Sequence, residues 1–265
     1  MIASLRRISA LVLRHLYILR GSWARLIELV YWPAVQMVMW GFLTQFLAGQ
    51  SSWLAQGAGL LISGFILWDV LVRGQLGLSI SFMEEMWSRN LGHLFASPLR
   101  PQELAAAIVV MSLLRTLLGM VPVSVLAIVC FHYSIYTLGW PLLGFFFVLQ
   151  MFGWAVGLGI TGMVMRYGLG METFVWAAIF ALLPLSGVYY PVSVLPEWLQ
   201  PLSWSMPPAY IFEGMRAILK DGTVELHLLG VAFALSCIYL LIGAGMFQLF
   251  FGSARKRGQL LQQGE

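Results

Sequence analysis

The chain has 265 residues, of which 60% are apolar and 10% charged, with a formal net charge of +4. Soluble domains carry roughly a quarter of their residues as charges, so these proportions exclude a water-soluble enzyme or binding module and place the chain in a bilayer. At about 20 residues per crossing, the length holds about six spans with short connections and leaves no room within it for a separate soluble domain.

Residues 1–25 carry Arg6, Arg7, Arg14, Arg20 and Arg25. At 100° per residue these fall within an arc of roughly 140°, with Leu5, Ile8, Val12, Leu16 and Leu19 opposite. The pattern predicts an interfacial amphipathic helix with its arginines among lipid headgroups. A first span is expected at about 28–47, with Pro33 near its start, and a second at about 57–82. Inside the second, Asp69 and Arg73 stand four apart on one helix face. Such intramembrane charges often mark ion pathways. Here Asp69 and Arg73 neutralise each other locally, and a structural role is preferred to ion or proton coupling, as it is for Arg115 of the third span.

The most polar internal stretch is 84–103, EEMWSRNLGHLFASPLRPQE. Trp87, Leu91, Leu94 and Phe95 recur at helical spacing, which predicts one short amphipathic helix over 84–95. Glu84 and Glu85 suit its N-terminus, Glu85 is placed to pair with Arg89, and Pro98 and Pro101 end it. An apolar stripe on a helix too polar to be a span needs a partner surface. Spans three and four are expected at about 104–131 and 139–165, joined by a polar turn at 132–138.

Span five, at about 173–190, leads into the most unusual segment. Residues 184–219 hold six of the eleven prolines, interleaved with Tyr189, Tyr190, Trp198, Trp204, Tyr210 and Phe212. The prolines exclude one uninterrupted helix, and the segment is too apolar for an ordinary solvated loop. Broken backbone is tolerated at membrane depth where protein buries it or where it lines a cavity. The expected form is a helix end, a re-entrant or interfacial elbow over 191–219, and a short amphipathic helix from about 209. Span six is expected at about 227–251, followed by a basic and then polar tail, 252–265.

Six spans put both ends of the chain on one side, together with eleven of the fifteen Lys and Arg residues; the other side has Arg216 and Lys220. The positive-inside rule therefore predicts cytoplasmic termini, a cytoplasmic 84–103 segment and an external elbow. ATP chemistry of the P-loop kind is excluded, because that motif needs a lysine after glycine and the two lysines follow Leu219 and Arg255. His15, His93, His132 and His227 are scattered without metal-ligand spacing, so no metal is expected. No GxSxG surrounds a serine to partner His93.

Two stretches resemble the permease subunits of type-2 ABC exporters. Residues 94–107, LFASPLRPQELAAA, are similar to that family's cytoplasmic L-x-x-S-P segment entering the third span. In 186–219, Gly187, Pro191, Leu195, Pro196, Pro208, Gly214 and Arg216 hold the places of its external G-x-x-x-P-x-x-x-L-P, N-P and G-hydrophobic-R pattern. Met206-Pro207-Pro208 stands where an Asn-Pro is common. The resemblance implies an all-α, six-helix, single-domain permease over 1–265 in the bacterial cytoplasmic membrane, working as a homodimer or with a similar permease. It implies two copies of a separate ATP-binding subunit, which would hold ATP and Mg, while this chain binds no cofactor and no nucleic acid. Coupling to the ATPase would fall to Trp87, Arg89, Leu91, Leu94 and Phe95. The external gate would comprise Tyr189, Tyr190, Pro191, Pro196, Trp198, Trp204, Pro208, Tyr210, Glu213 and Arg216. An amphipathic lipid, glycan or drug moving outward is the expected cargo; a membrane-embedded lipid-modifying enzyme and an ion-coupled secondary transporter are the alternatives.

Overall fold

A computed structural model describes residues 2–49, 52–88 and 90–257; the side chains of residues 2, 48, 52–58, 95, 96 and 169 lie outside the description. The described chain is helical: α1 (Ile2–Arg20), α2 (Trp23–Ala48), α3 (Ser52–Trp87), α4 (Leu91–Ala96), α5 (Pro101–Phe131), α6 (Pro141–Tyr167), α7 (Glu172–Leu185), α8 (Gln200–Trp204), α9 (Pro207–Asp221) and α10 (Leu226–Lys256). Among the described residues, five helices are long and apolar enough to cross a membrane: α2, α3, α5, α6 and α10.

Residue pairings give the direction of each helix. Along α6 and α10, Gly144 meets Leu229, Val148 O accepts from Ser236 Oγ at 3.2 Å, and Gly162 meets Phe247. Both numbers rise together, so these helices run parallel. So do α3 and α6, where Gly74 meets Gly153 and Leu78 meets Gly157. By contrast Gly77 meets Ser112 while Arg73 lies on Gly119, so α3 and α5 are antiparallel. Helix α2 opposes α3, with Arg25 beside Glu84 and Leu29 beside Arg73.

Parallel α6 and α10 require the chain to travel back through the whole bundle between them. The segment available is α7, whose 14 residues make about 21 Å of helix, against a hydrocarbon thickness of about 30 Å. This corrects the expected fifth span: the helix stops at Leu185, and the proline-rich elbow completes the crossing. Both described ends of the chain therefore lie at one end of the bundle, the terminal end, and the elbow lies at the other.

Helix contacts are close because glycines allow backbone to approach backbone. A Cβ on Gly153 would fall 2.6 Å from Leu71 O, and one on Gly243 would fall 2.2 Å from Ala155 O. Two apolar clusters fill the interior. One lies toward the elbow around Phe65, Phe145, Phe152 and Phe212, and the other toward the terminal end around Phe82, Leu104, Val164 and Phe247.

Candidate functional site

At the terminal end, α3 runs on past the expected limit of 82 to Trp87, so Glu84 and Glu85 belong to its last turn and do not begin a new helix. Helix α3 ends at Trp87, and α4 spans six residues from Leu91. One helix over 84–95, with Trp87 and Leu91 on a shared outward stripe, is therefore not what forms. Trp87 is 50% exposed, whereas Leu91 is 8% exposed and packs into the terminal-end cluster, with Leu94 half-buried against it. Arg89 and the side chain of Phe95 lie outside the described residues.

What allows two carboxylates on the last turn of a span is a set of cations from α1, α2 and α5. Glu85 receives Arg14 through both oxygens at 2.6 and 3.1 Å, Asn90 Nδ2 at 2.7 Å, and lies 3.3 Å from His15 Nε2. Glu84 bridges Arg25 at 3.4 Å and Arg115 at 3.3 Å. Arg7 forks onto Glu103 at 2.8 and 2.6 Å, and Glu103 also accepts from the Arg100 backbone N–H at 3.0 Å. Helix α1 is thus pinned to the ends of α3 and α5, with Leu11 and Leu19 buried. Its Arg7 and Arg14 turn to protein carboxylates where lipid headgroups were expected, and Glu85 turns to Arg14. The signal was present in the residue types, since an arginine-rich helix and three acids sit at one end. The pairing across 71 and 96 residues was not.

At the opposite end the elbow is built to hide its own backbone. A helix leaves its last four carbonyls without helical partners, and in a bilayer each must be satisfied internally. Those of α7 are met in turn. Leu182 O accepts from Ser186 Oγ at 2.6 Å, Leu183 O from Ser186 N at 3.3 Å, Pro184 O from Tyr190 OH at 2.7 Å and Leu185 O from Ser203 Oγ at 2.6 Å. Gly187 then takes φ +64°, a left-handed turn that glycine enters without Cβ strain. Arg216 of α9, 5% exposed, donates to Gly187 O at 2.6 Å and Val188 O at 3.4 Å, and its Nε meets Glu213 at 3.2 Å. Glu213 in turn accepts from Val192 N at 2.8 Å. Glu213 and Arg216 therefore clasp the elbow from within.

The aromatic residues of the elbow divide. Tyr189 stacks on Trp40 of α2 at 4.3 Å, and Trp204 meets Tyr210 edge-on at 4.9 Å. Pro208 is buried, Tyr190 and Pro191 are half-buried, and Pro196 and Trp198 stand out, the latter 75% exposed. The elbow's tip thus presents Pro196 and Trp198 outward, over a base locked by Glu213 and Arg216.

Between the two ends, Arg73 Nε binds Asp69 Oδ2 at 2.5 Å, and Arg115 reaches Glu84. Each intramembrane charge singled out in the sequence therefore has a charged partner. Among the described residues, no three His, Cys, Asp or Glu side chains gather in a metal-holding group. A family model described as ABC-2 type transporter matches residues 10–220, which takes in α2 to α8, α9 up to its last residue and most of α1. A search of curated proteins found no match.

Proposed function

The chain belongs to the ABC-2 type transporter family, a family of membrane subunits that work with an ATP-binding partner, and from that premise we propose that it is the permease of an ATP-driven exporter. Two permeases, either identical or similar, would form the conduit, with two copies of an ATP-binding subunit holding ATP and Mg at the terminal end. That end faces the bacterial cytoplasm on this reading, because ten Lys and Arg of the described residues gather there against two at the elbow. The cargo would be an amphipathic lipid, glycan or drug, leaving past the aromatic elbow.

The observation that carries the reading is the contrast between the two ends. The terminal end leaves Trp87 half exposed at the break between α3 and α4, on a base fixed by Leu91 and by the α1 ion pairs. The elbow end is self-satisfied and capped by aromatic side chains. Trp87 is the proposed ATPase anchor; Leu91 and Leu94 hold α4 in place for it. Tyr189, Tyr190, Pro191, Pro196, Trp198, Trp204, Pro208 and Tyr210 form the proposed external gate, and Glu213 and Arg216 hold its shape. The self-paired Asp69 and Arg73 favour ATP-driven over ion-coupled transport, which needs an intramembrane carboxylate free to take up its ion.

The test uses the complex with its ATPase. Truncating an interface anchor costs roughly 2 kcal/mol, about 30-fold in affinity, so Trp87→Ala is expected to lose the ATPase on purification while the permease still inserts. Undiminished copurification and unaltered ATP turnover would remove Trp87 from the coupling surface. Orientation is read separately, in a Cys130→Ser, Cys237→Ser background. An impermeant thiol reagent is expected to label Glu197→Cys in intact cells and Ser88→Cys only after permeabilisation, both positions being exposed. Equal labelling of both in intact cells would overturn the orientation.

A further inference from the structure

Helix α2 touches both ends of the bundle. Its first turn is tied to the terminal end by Arg25, 3.4 Å from Glu84, and its outer half meets the elbow where Trp40 stacks on Tyr189. Between these contacts stands Pro33, buried inside the helix. Proline has no N–H, so the carbonyl four residues back loses its helical donor and the ladder is open at that point. That carbonyl belongs to Leu29.

It is taken by Arg73. The guanidinium Nη2 donates to Leu29 O at 2.9 Å while Nε holds Asp69. The side chain reaches α2 by crossing α5 over Gly119, where a Cβ would fall 1.9 Å from Nη1. Three features that look unrelated in the sequence therefore serve one contact. Pro33 vacates the acceptor, Gly119 clears the path, and Asp69 balances and aims the donor.

We infer that Arg73 is a positioning residue for transport, a clasp that sets the angle of a proline joint in α2 and so fixes how the two halves of that helix relay movement between the Glu84 end and the elbow. The inference rests on the exporter reading for what the relay is used for, but not for the clasp itself. A charge pair that merely neutralised itself would make no use of Pro33. A clasp must, because restoring an N–H at position 33 would satisfy Leu29 O from within α2 and make Arg73 redundant there.

The experiment measures the distance between spin labels at Trp23→Cys and Phe46→Cys, both exposed positions at the two ends of α2, in the cysteine-free permease in nanodiscs. Asp69→Asn with Arg73→Met removes both charges together, and a broadened distance distribution is expected. Gly119→Ala keeps both charges but displaces the guanidinium, and should broaden it likewise; it also covers failure of the double variant to fold. Adding Pro33→Ala should return the narrow distribution in either case. No broadening, or broadening that Pro33→Ala leaves in place, overturns the clasp. In the full complex, trapping with ATP and vanadate should shift the same distance in wild type, and the shifted population should fall roughly tenfold in Asp69→Asn/Arg73→Met. A shift undiminished in that variant overturns the relay. A wild-type complex that does not respond to the nucleotide at all counts against the exporter reading, while the permease-only measurement still decides the clasp.

Discussion

Replacing Arg216 with methionine will collapse the elbow while leaving the five long helices assembled. The side chain is 5% exposed and donates to Gly187 O and Val188 O while pairing with Glu213. Methionine fills similar space but donates nothing, so two carbonyls at a left-handed turn lose their partner and Glu213 loses its cation. Removing one partner of a buried pair costs about 3–5 kcal/mol, and for a chain of this size each 1 kcal/mol shifts the unfolding midpoint by about 2–4 °C. The apparent midpoint in detergent should thus fall by about 10 °C, with tryptophan emission from the elbow region shifting to the red and proteolysis appearing within 186–206. Arg216→Lys should recover part of the loss, since an ammonium keeps the charge but not the planar fork that reaches several acceptors. A midpoint and cleavage pattern like wild type in Arg216→Met would show that the clasp is dispensable.

Gly243→Ala will separate α6 from α10, and Gly245→Ala will not. The Cβ at 243 would stand 2.2 Å from the Ala155 carbonyl oxygen and 3.0 Å from its Cα, whereas nothing lies within 4 Å of a Cβ at 245. Because the obstacle is backbone, no rotamer change relieves it, and a cost at or above the usual 1–3 kcal/mol of overpacking is expected. Two positions along the same helix, alanine is neutral or stabilising by up to about 1 kcal/mol through helix propensity. The measurement is the fraction of each variant that stays monodisperse after heating in detergent. Equal survival of the two would mean that α6 and α10 do not meet as closely as described.

The spans were legible because each long helix shares its apolar run with the sequence. The misplacements have a common cause. Helix α3 was expected to end near 82 because Glu84 and Glu85 interrupt the hydrophobic run. It continues to Trp87 because Arg14, Arg25 and Arg115 supply partners from elsewhere in the chain. The amphipathic stripe of Trp87 and Leu91 was real as spacing but not as structure, since α3 ends at Trp87, α4 begins at Leu91 and the two side chains part. The fifth crossing was drawn to 190 by its apolar residues, yet α7 ends five residues earlier, where Ser186 and Gly187 turn the chain and the elbow takes over its carbonyls. The elbow's prolines announced irregular backbone. Which groups would satisfy that backbone depended on Arg216 meeting Gly187 across 29 residues, a contact that no local pattern encodes.

The short α7 also bears on how the chain is made. Helices α2, α3, α5 and α6 each carry enough apolar length to be handed to the bilayer as they leave the ribosome. Helix α7 does not, and its last two carbonyls wait for Tyr190 and for Ser203, which is synthesised 18 residues after Leu185. Until α9 delivers Arg216, the turn at Gly187 has no donor either. The end of the chain must therefore enter the membrane as a block, α7 held back with the insertion machinery until the elbow has emerged and α10 anchors it. A nascent chain halted just beyond Leu185 should remain beside the translocon, while one halted after α10 should be released into lipid.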